Sequence, residues 1–140
     1  MKKFLFYSLI LFALASVGAG LTSCSKDDEG GSGNDSSLVG KWEAVEEFLQ
    51  QNSNWVLDYK FEARECIWTF DNTHLVIQDA NDLMSGQKVV YSYNSSKQEL
   101  TLAGLVYNVL KLTSTEFELE SMLIDLTGTH KTKIVFKKIQ

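Results

Sequence analysis

The feature that most constrains this chain is a two-residue rhythm that recurs from Leu38 to the carboxyl end. In EFELESMLI, Phe117, Leu119 and Leu123 alternate with Glu116, Glu118 and Glu120; in KTKIVFKKI, Ile134 and Phe136 alternate with Lys133 and Lys137. Successive side chains of a strand point to opposite faces, so this alternation predicts strands with one dry and one wet side. The glutamates of the first run and the lysines of the second suit neighbouring strands. WVLDYKF repeats the pattern and places Trp55, Leu57, Tyr59 and Phe61 on one buried face. CIWTF and KVVYSY do so as well, with Cys66, Trp68 and Phe70 in one set and Val89, Tyr91 and Tyr93 in the other.

Turn chemistry separates these runs. DNTH, residues 71–74, and NSSKQ, residues 94–98, each predict a hairpin. LVYNVLKL carries apolar residues at both parities, which predicts a strand covered on both faces. One stretch, EAVEEFLQQ, has two readings. Ala44, Val45, Phe48 and Leu49 fall at helical spacing, whereas Trp42, Ala44 and Phe48 share the parity of a long first strand. The chain contains no proline, so every backbone donor is available to a ladder. About eight short antiparallel strands must hide their edges, and closing a meander on itself does so completely. The expected fold is all-β, a small antiparallel up-and-down barrel over residues 38–140.

What precedes the barrel has different physics. Lys2 and Lys3 lead an uncharged, mostly apolar run from Phe4 to about Val17, followed by small residues up to Cys24. That is the anatomy of a cleavable signal peptide over residues 1–23, too short and glycine-diluted for a spanning helix. Ser25 to Ser37 contains no apolar residue and cannot offset the entropy of ordering. Residues 24–37 are therefore expected to act as a flexible tether, with an r.m.s. span on the order of 20 Å. With 13 Lys and Arg against 18 Asp and Glu, the formal charge is -5, a sign that opposes binding to nucleic acid.

Leu21, Thr22, Ser23 and Cys24 resemble the lipobox of bacterial lipoproteins. The resemblance implies recognition of Leu21, Thr22 and Ser23 by a dedicated signal peptidase, cleavage before Cys24 and a thioether-linked lipid on Cys24. Two or three acyl chains give lasting membrane attachment. Lys26, Asp27, Asp28 and Glu29 are similar to the acidic export signal of surface lipoproteins of the Bacteroidetes, which implies an outer-membrane anchor exposed at the cell surface. LVGKW, with Gly40 and Trp42, resembles the Gly-x-Trp signature on the first strand of lipocalins, and the later strand rhythm is similar to lipocalin-like domains of such lipoproteins. In that family the tryptophan packs across the closed end of the barrel. The domain is short for a ligand carrier, and the family's later arginine motif has no clear counterpart here.

No catalytic constellation stands out. His74 and His130 lie at expected turn or strand-end positions, without companions at metal-ligand spacing. No G-x-S-x-G elbow, phosphate-binding loop or dinucleotide fingerprint is present. Cys66, beside Ile67 and Trp68, reads as an inert core thiol. The expectation is a protein that is not an enzyme and holds no metal or cofactor. Trp42, Trp68, Tyr91 and Tyr107 are the candidates for a ligand cavity or for a filled core, since an eight-stranded barrel admits side chains or one small ligand. Expected partners are the membrane through the lipid, a small hydrophobic ligand, and an envelope protein.

Overall fold

A computed structural model describes residues 37–80, 85–126 and 128–139. The expected signal peptide, Leu21 to Cys24 and nearly all of the expected tether lie outside the described residues. Nine antiparallel strands follow in order: β1 (Gly40–Gln51), β2 (Asn54–Lys60), β3 (Cys66–Phe70), β4 (His74–Asp79), β5 (Lys88–Asn94), β6 (Glu99–Leu102), β7 (Leu105–Leu112), β8 (Glu116–Asp125) and β9 (Gly128–Lys138). Residues 43–50 belong to β1, so the long-strand reading of EAVEEFLQQ holds. Helix propensity is a weak prior, and β1 overrides it by finding partners along both edges.

β1 pairs with β3, each strand from β3 to β8 pairs with its successor, and β9 pairs back onto β1, closing an eight-stranded up-and-down barrel. β2 is the extra strand. One edge of β1 is shared, with Gly40–Glu43 paired to β3 and Glu46–Gln51 to β2. The hairpin turns use backbone shapes that match strand twist. Asn52 and Ser53, and Ala103 and Gly104, all have positive φ, as two-residue hairpin loops of the type I′ class require. At the predicted DNTH turn, the Asp71 carboxylate accepts hydrogen bonds from the backbone N–H groups of Thr73 (2.8 Å) and His74 (2.6 Å).

The core fills the end of the barrel where β1 begins. Leu38, Trp42, Phe70, Phe117 and Phe136 are fully buried there. Trp42 Nε1 donates to the Leu38 carbonyl at 2.7 Å, which seats the segment before β1 across this closed end. Phe117 meets Trp42 edge-on at 5.8 Å, stacks on Phe136 at 5.2 Å and faces Phe70 at 6.3 Å between centroids. Trp68 adds a ring at 4.8 Å from Phe136, and Tyr91 lies at 5.0 Å from Phe70. Among the described residues every buried apolar side chain falls between Leu38 and Phe136, and the hydrogen-bonded ring closes within the same span. Residues 37–139 thus hold both the core and the closure of the barrel, as a domain that folds by itself requires.

Three expectations about faces need correction, and bulges explain two of them. WVLDYKF does not bury one face, because the β1–β2 register slips between Glu47 and Phe48, leaving Asp58 as the extra residue. Tyr59 and Phe61 keep to the inside, while Leu57 is 51% exposed. In β1 the register against β9 shifts between Ala44 and Glu46, so Phe48 does not share the buried parity of Trp42 and Ala44. Instead it stands beside Lys133, whose ammonium lies 4.7 Å from the Phe48 ring. LVYNVLKL is covered on one side only: Val109 is buried, whereas Val106 and Leu110 are exposed. The Glu and Lys strands do meet as their alternation suggests, with Lys133 to Glu118 at 3.5 Å and Lys131 to Glu120 at 3.2 Å.

Since Phe117 is the ring that joins three others, Phe117→Ala is expected to cost about 3–5 kcal/mol of unfolding free energy. Val106→Ala, on the exposed side of β7, should stay within about 0.5 kcal/mol of the parent. Urea denaturation of residues 37–140 followed by tryptophan fluorescence checks both.

Candidate functional site

The interior changes character along the barrel. Registers of successive strands define rows of inward side chains, and the row nearest the closed end, Leu112, Phe117, Phe136 and Ala44, is wholly apolar. One step toward the other end, Val109, Leu119, Ile134, Glu47 and Tyr59 form a continuous row from β7 through β8, β9 and β1 to β2. Beyond it, Ser121, Thr132 and Leu49 lie together, and their flank opens to solvent at Val56. The barrel thus has an aromatic floor, a middle row containing one carboxyl group, and a rim where hydroxyls enter.

Glu47 owes its place to the bulge at Val45. With unbroken alternation after Trp42 and Ala44, Glu46 would turn inward; the shift opposite Phe136 and Val135 sends Glu47 there instead. Bulges commonly re-aim a side chain in this way. Burial among Ile134 and its neighbours disfavours the carboxylate, and the Asp58 charge adds to the effect, so the Glu47 pKa is pushed up to about 7. Near neutral pH this side chain is a mixture of acid and carboxylate, able to donate or accept a hydrogen bond.

Neighbouring groups shape the same end. Tyr59 donates its hydroxyl to both oxygens of Glu65, at 2.8 and 2.9 Å, and the Glu62 N–H also reaches Glu65 at 2.9 Å. The backbone N–H of Arg64 donates to Glu43, which fixes the 61–65 loop against β1. Tyr107 packs half-buried against the core from β7, and desolvation raises its phenol to about 12, so it stays a neutral donor at physiological pH.

The candidates named from sequence separate into two groups. Trp42, Trp68 and Tyr91 sit in the packed floor, where they support rather than line an opening. Tyr91 donates its hydroxyl to the Asp71 carbonyl at 2.6 Å, and its pKa is raised by burial and then by the Asp71 charge. Tyr107 alone of the four lies on the partly accessible side of the interior. Cys66 is a buried thiol on β3. His74 belongs to the β3–β4 turn with Thr73 Oγ1 at 2.7 Å, and Asp71 there is held below the usual carboxylate range chiefly by the two backbone N–H bonds from Thr73 and His74. His130 is the third residue of β9, on the inward parity of Thr132 and Ile134. Among the described residues no three His, Cys, Asp or Glu side chains gather so as to hold a metal ion. Cys24 with Leu21, Thr22 and Ser23 lies outside the described residues.

Glu47 went unnoticed in the sequence, though a signal was there. Two adjacent glutamates inside a strand force one of them inward whatever the register, and EAVEEF contains such a pair. Compared with known proteins, the chain matches no protein-family model and no curated protein.

The Glu47 shift carries a sign. Its folded pKa lies above the unfolded value, so between about pH 4.5 and 7 the native state binds the extra proton and stability falls as pH rises through that window. The full effect is on the order of 3 kcal/mol at most. Glu47→Gln should match the parent near the bottom of the window and exceed it in stability above the top. Urea midpoints measured across the window check this; parallel curves for the two proteins would refute it.

Proposed function

We propose that this chain is a lipid-anchored lipoprotein of the bacterial cell envelope, of the Bacteroidetes type, whose lipocalin-like barrel is non-catalytic and binds a small amphipathic molecule at its open end. The single observation that carries the binding part is the graded interior. An aromatic floor closes the lower barrel, so a guest enters only the upper rows, where Leu49 and Tyr107 offer apolar surface above the buried Ile134. Glu47 and Thr132 stand beside that surface as hydrogen-bonding groups for a polar head. Such a site takes a short chain or ring with one donor or acceptor, not a long acyl chain, because Trp42, Phe70, Phe117 and Phe136 occupy the depth a long chain needs.

The anchoring part rests on Leu21, Thr22, Ser23 and Cys24 and on the polar, acidic stretch behind them. Cleavage before Cys24 leaves the acylated residue at one end of the tether and Leu38, buried at the closed end, at the other. The tether therefore joins the barrel at the end away from Glu47, which leaves the open end clear of the anchor. No metal or other cofactor enters this reading.

A second reading makes the domain an interaction module of an envelope complex, with the barrel a filled scaffold. Its support is the hairpin joining β8 and β9, where Met122, Ile124 and Leu126 are 57%, 72% and 106% exposed. Methyl NMR of residues 37–140 titrated with hexanol and hexylamine separates the two. Ligand binding at the open end shifts the methyl signals of Ile134 and Leu49 and leaves those of Leu38 and Leu75 in place; an unchanged spectrum with both probes overturns the binding reading and leaves the module. For the anchor, the full chain expressed in a Gram-negative host should fractionate with membranes, and Cys24→Ser should release it.

A further inference from the structure

Closure protects the lower barrel, but two strands run past it with open edges. β2 leaves the edge away from β1 unpaired by any described strand. β8 pairs with β7 only as far as Glu120, opposite Asn108, whereas it pairs with β9 out to Asp125. Over Ser121–Asp125 the other edge of β8 therefore has no partner strand among the described residues.

The two edges are not alike. β2 carries the devices that discourage edge-to-edge pairing: the register slip at Asp58, an exposed Lys60, and the pinned loop at residues 61–65. β8 carries none of them before Asp125, the charged residue that ends it. From Ser121 to Ile124 it has no charge, no glycine and no bulge, and Met122 and Ile124 present exposed aliphatic side chains on its outer face. The charged ladder stops one residue short. Glu120 is tied by Lys131 at 3.2 Å and by the Asn108 amide at 3.0 Å, so the last carboxylate before the free edge is already satisfied.

We propose that this edge pairs with the same edge of a second copy of the chain, β8 against β8 in antiparallel register about Leu123. The sequence of the edge is self-complementary in that register. Ser121 falls opposite Asp125 of the other copy and Met122 opposite its Ile124, so the exposed aliphatics cover one another. Glu120 falls opposite Leu126, and no like charges face each other along the seam. Two four-stranded ribbons, β2–β1–β9–β8 in each copy, then merge into one continuous eight-stranded sheet about a two-fold axis. Five residues a side make a small interface, so the dimer is dynamic in dilute solution. This inference is independent of the ligand-binding reading, since it uses the outer face and edge of β8 and none of the inward rows.

Analytical ultracentrifugation of residues 37–140 across the micromolar to millimolar range tests it. A concentration-dependent dimer is expected, and Ile124→Lys, which sets an unpaired charge against the apolar seam, should weaken it by about tenfold or more. Val106→Lys, an exposed apolar position on β7 outside the seam, should leave it unchanged. Circular dichroism and Trp fluorescence show whether each variant keeps the parent fold, and Met122→Lys serves as the second seam variant. Register is read separately by mild oxidation: a mixture of Met122→Cys and Ile124→Cys chains should cross-link several-fold faster than either alone. A parent that stays monomeric throughout, or a dimer indifferent to both lysine variants, overturns the proposal, as does cross-linking equal in all three cysteine samples.

Discussion

The rest of the structure depends on the way β1 is held by strands on both of its edges. β9 follows it from Trp42 to Leu49, which closes the ring, and β3 and β2 divide its other edge between them. Without that closure the meander would expose two long edges, and the aromatic floor would lose the wall that carries Trp42 and Ala44. The division has a second effect. Where β3 hands over to β2 the ring stops being continuous, and a four-stranded ribbon rises above it. The dry floor, the polar rim and the open strand edges all follow from where that hand-over occurs.

Much of this was legible in the sequence because a strict two-residue alternation ties side-chain facing to position. CIWTF, KVVYSY, EFELE and KIVFKK sit in the barrel as their alternation requires, and the Glu-bearing and Lys-bearing strands lie side by side. The turns at residues 71–74 and 94–98 fall where Asp and Asn side chains cap backbone donors. Register irregularities were not legible. A bulge costs one residue and no characteristic composition, yet it inverts the facing of everything beyond it until the next one. That is why Phe48 lies outside, why Leu57 is exposed, and why a carboxyl group reached the interior.

Of the candidate residues, Trp42, Trp68 and Tyr91 are buried and Tyr107 is half-buried, and alternation alone does not apportion them between support and lining. Trp42, Trp68 and Tyr91 lie below the row of Glu47, and only Tyr107 reaches the accessible side. The distinction is one of height along the strands. Height depends on the stagger between strands, which is a property of the closed sheet and not of any one segment. The same applies to Glu47 and Asp58, adjacent strands' carboxyls whose mutual repulsion exists only once β1 and β2 pair.

The first and last strands begin and end at the closed end of the barrel, where the Ile139 N–H bonds the Lys41 carbonyl and the Lys138 N–H bonds that of Thr115. The domain is therefore mechanically anisotropic. Force applied between its two termini peels β9 from β1 one rung at a time, so the domain yields to a small load. Force applied between the start of β1 and the far hairpins runs along β1 and loads its rungs on both edges together. A domain held at the start of β1 and pulled at its far hairpins is loaded in its strong direction.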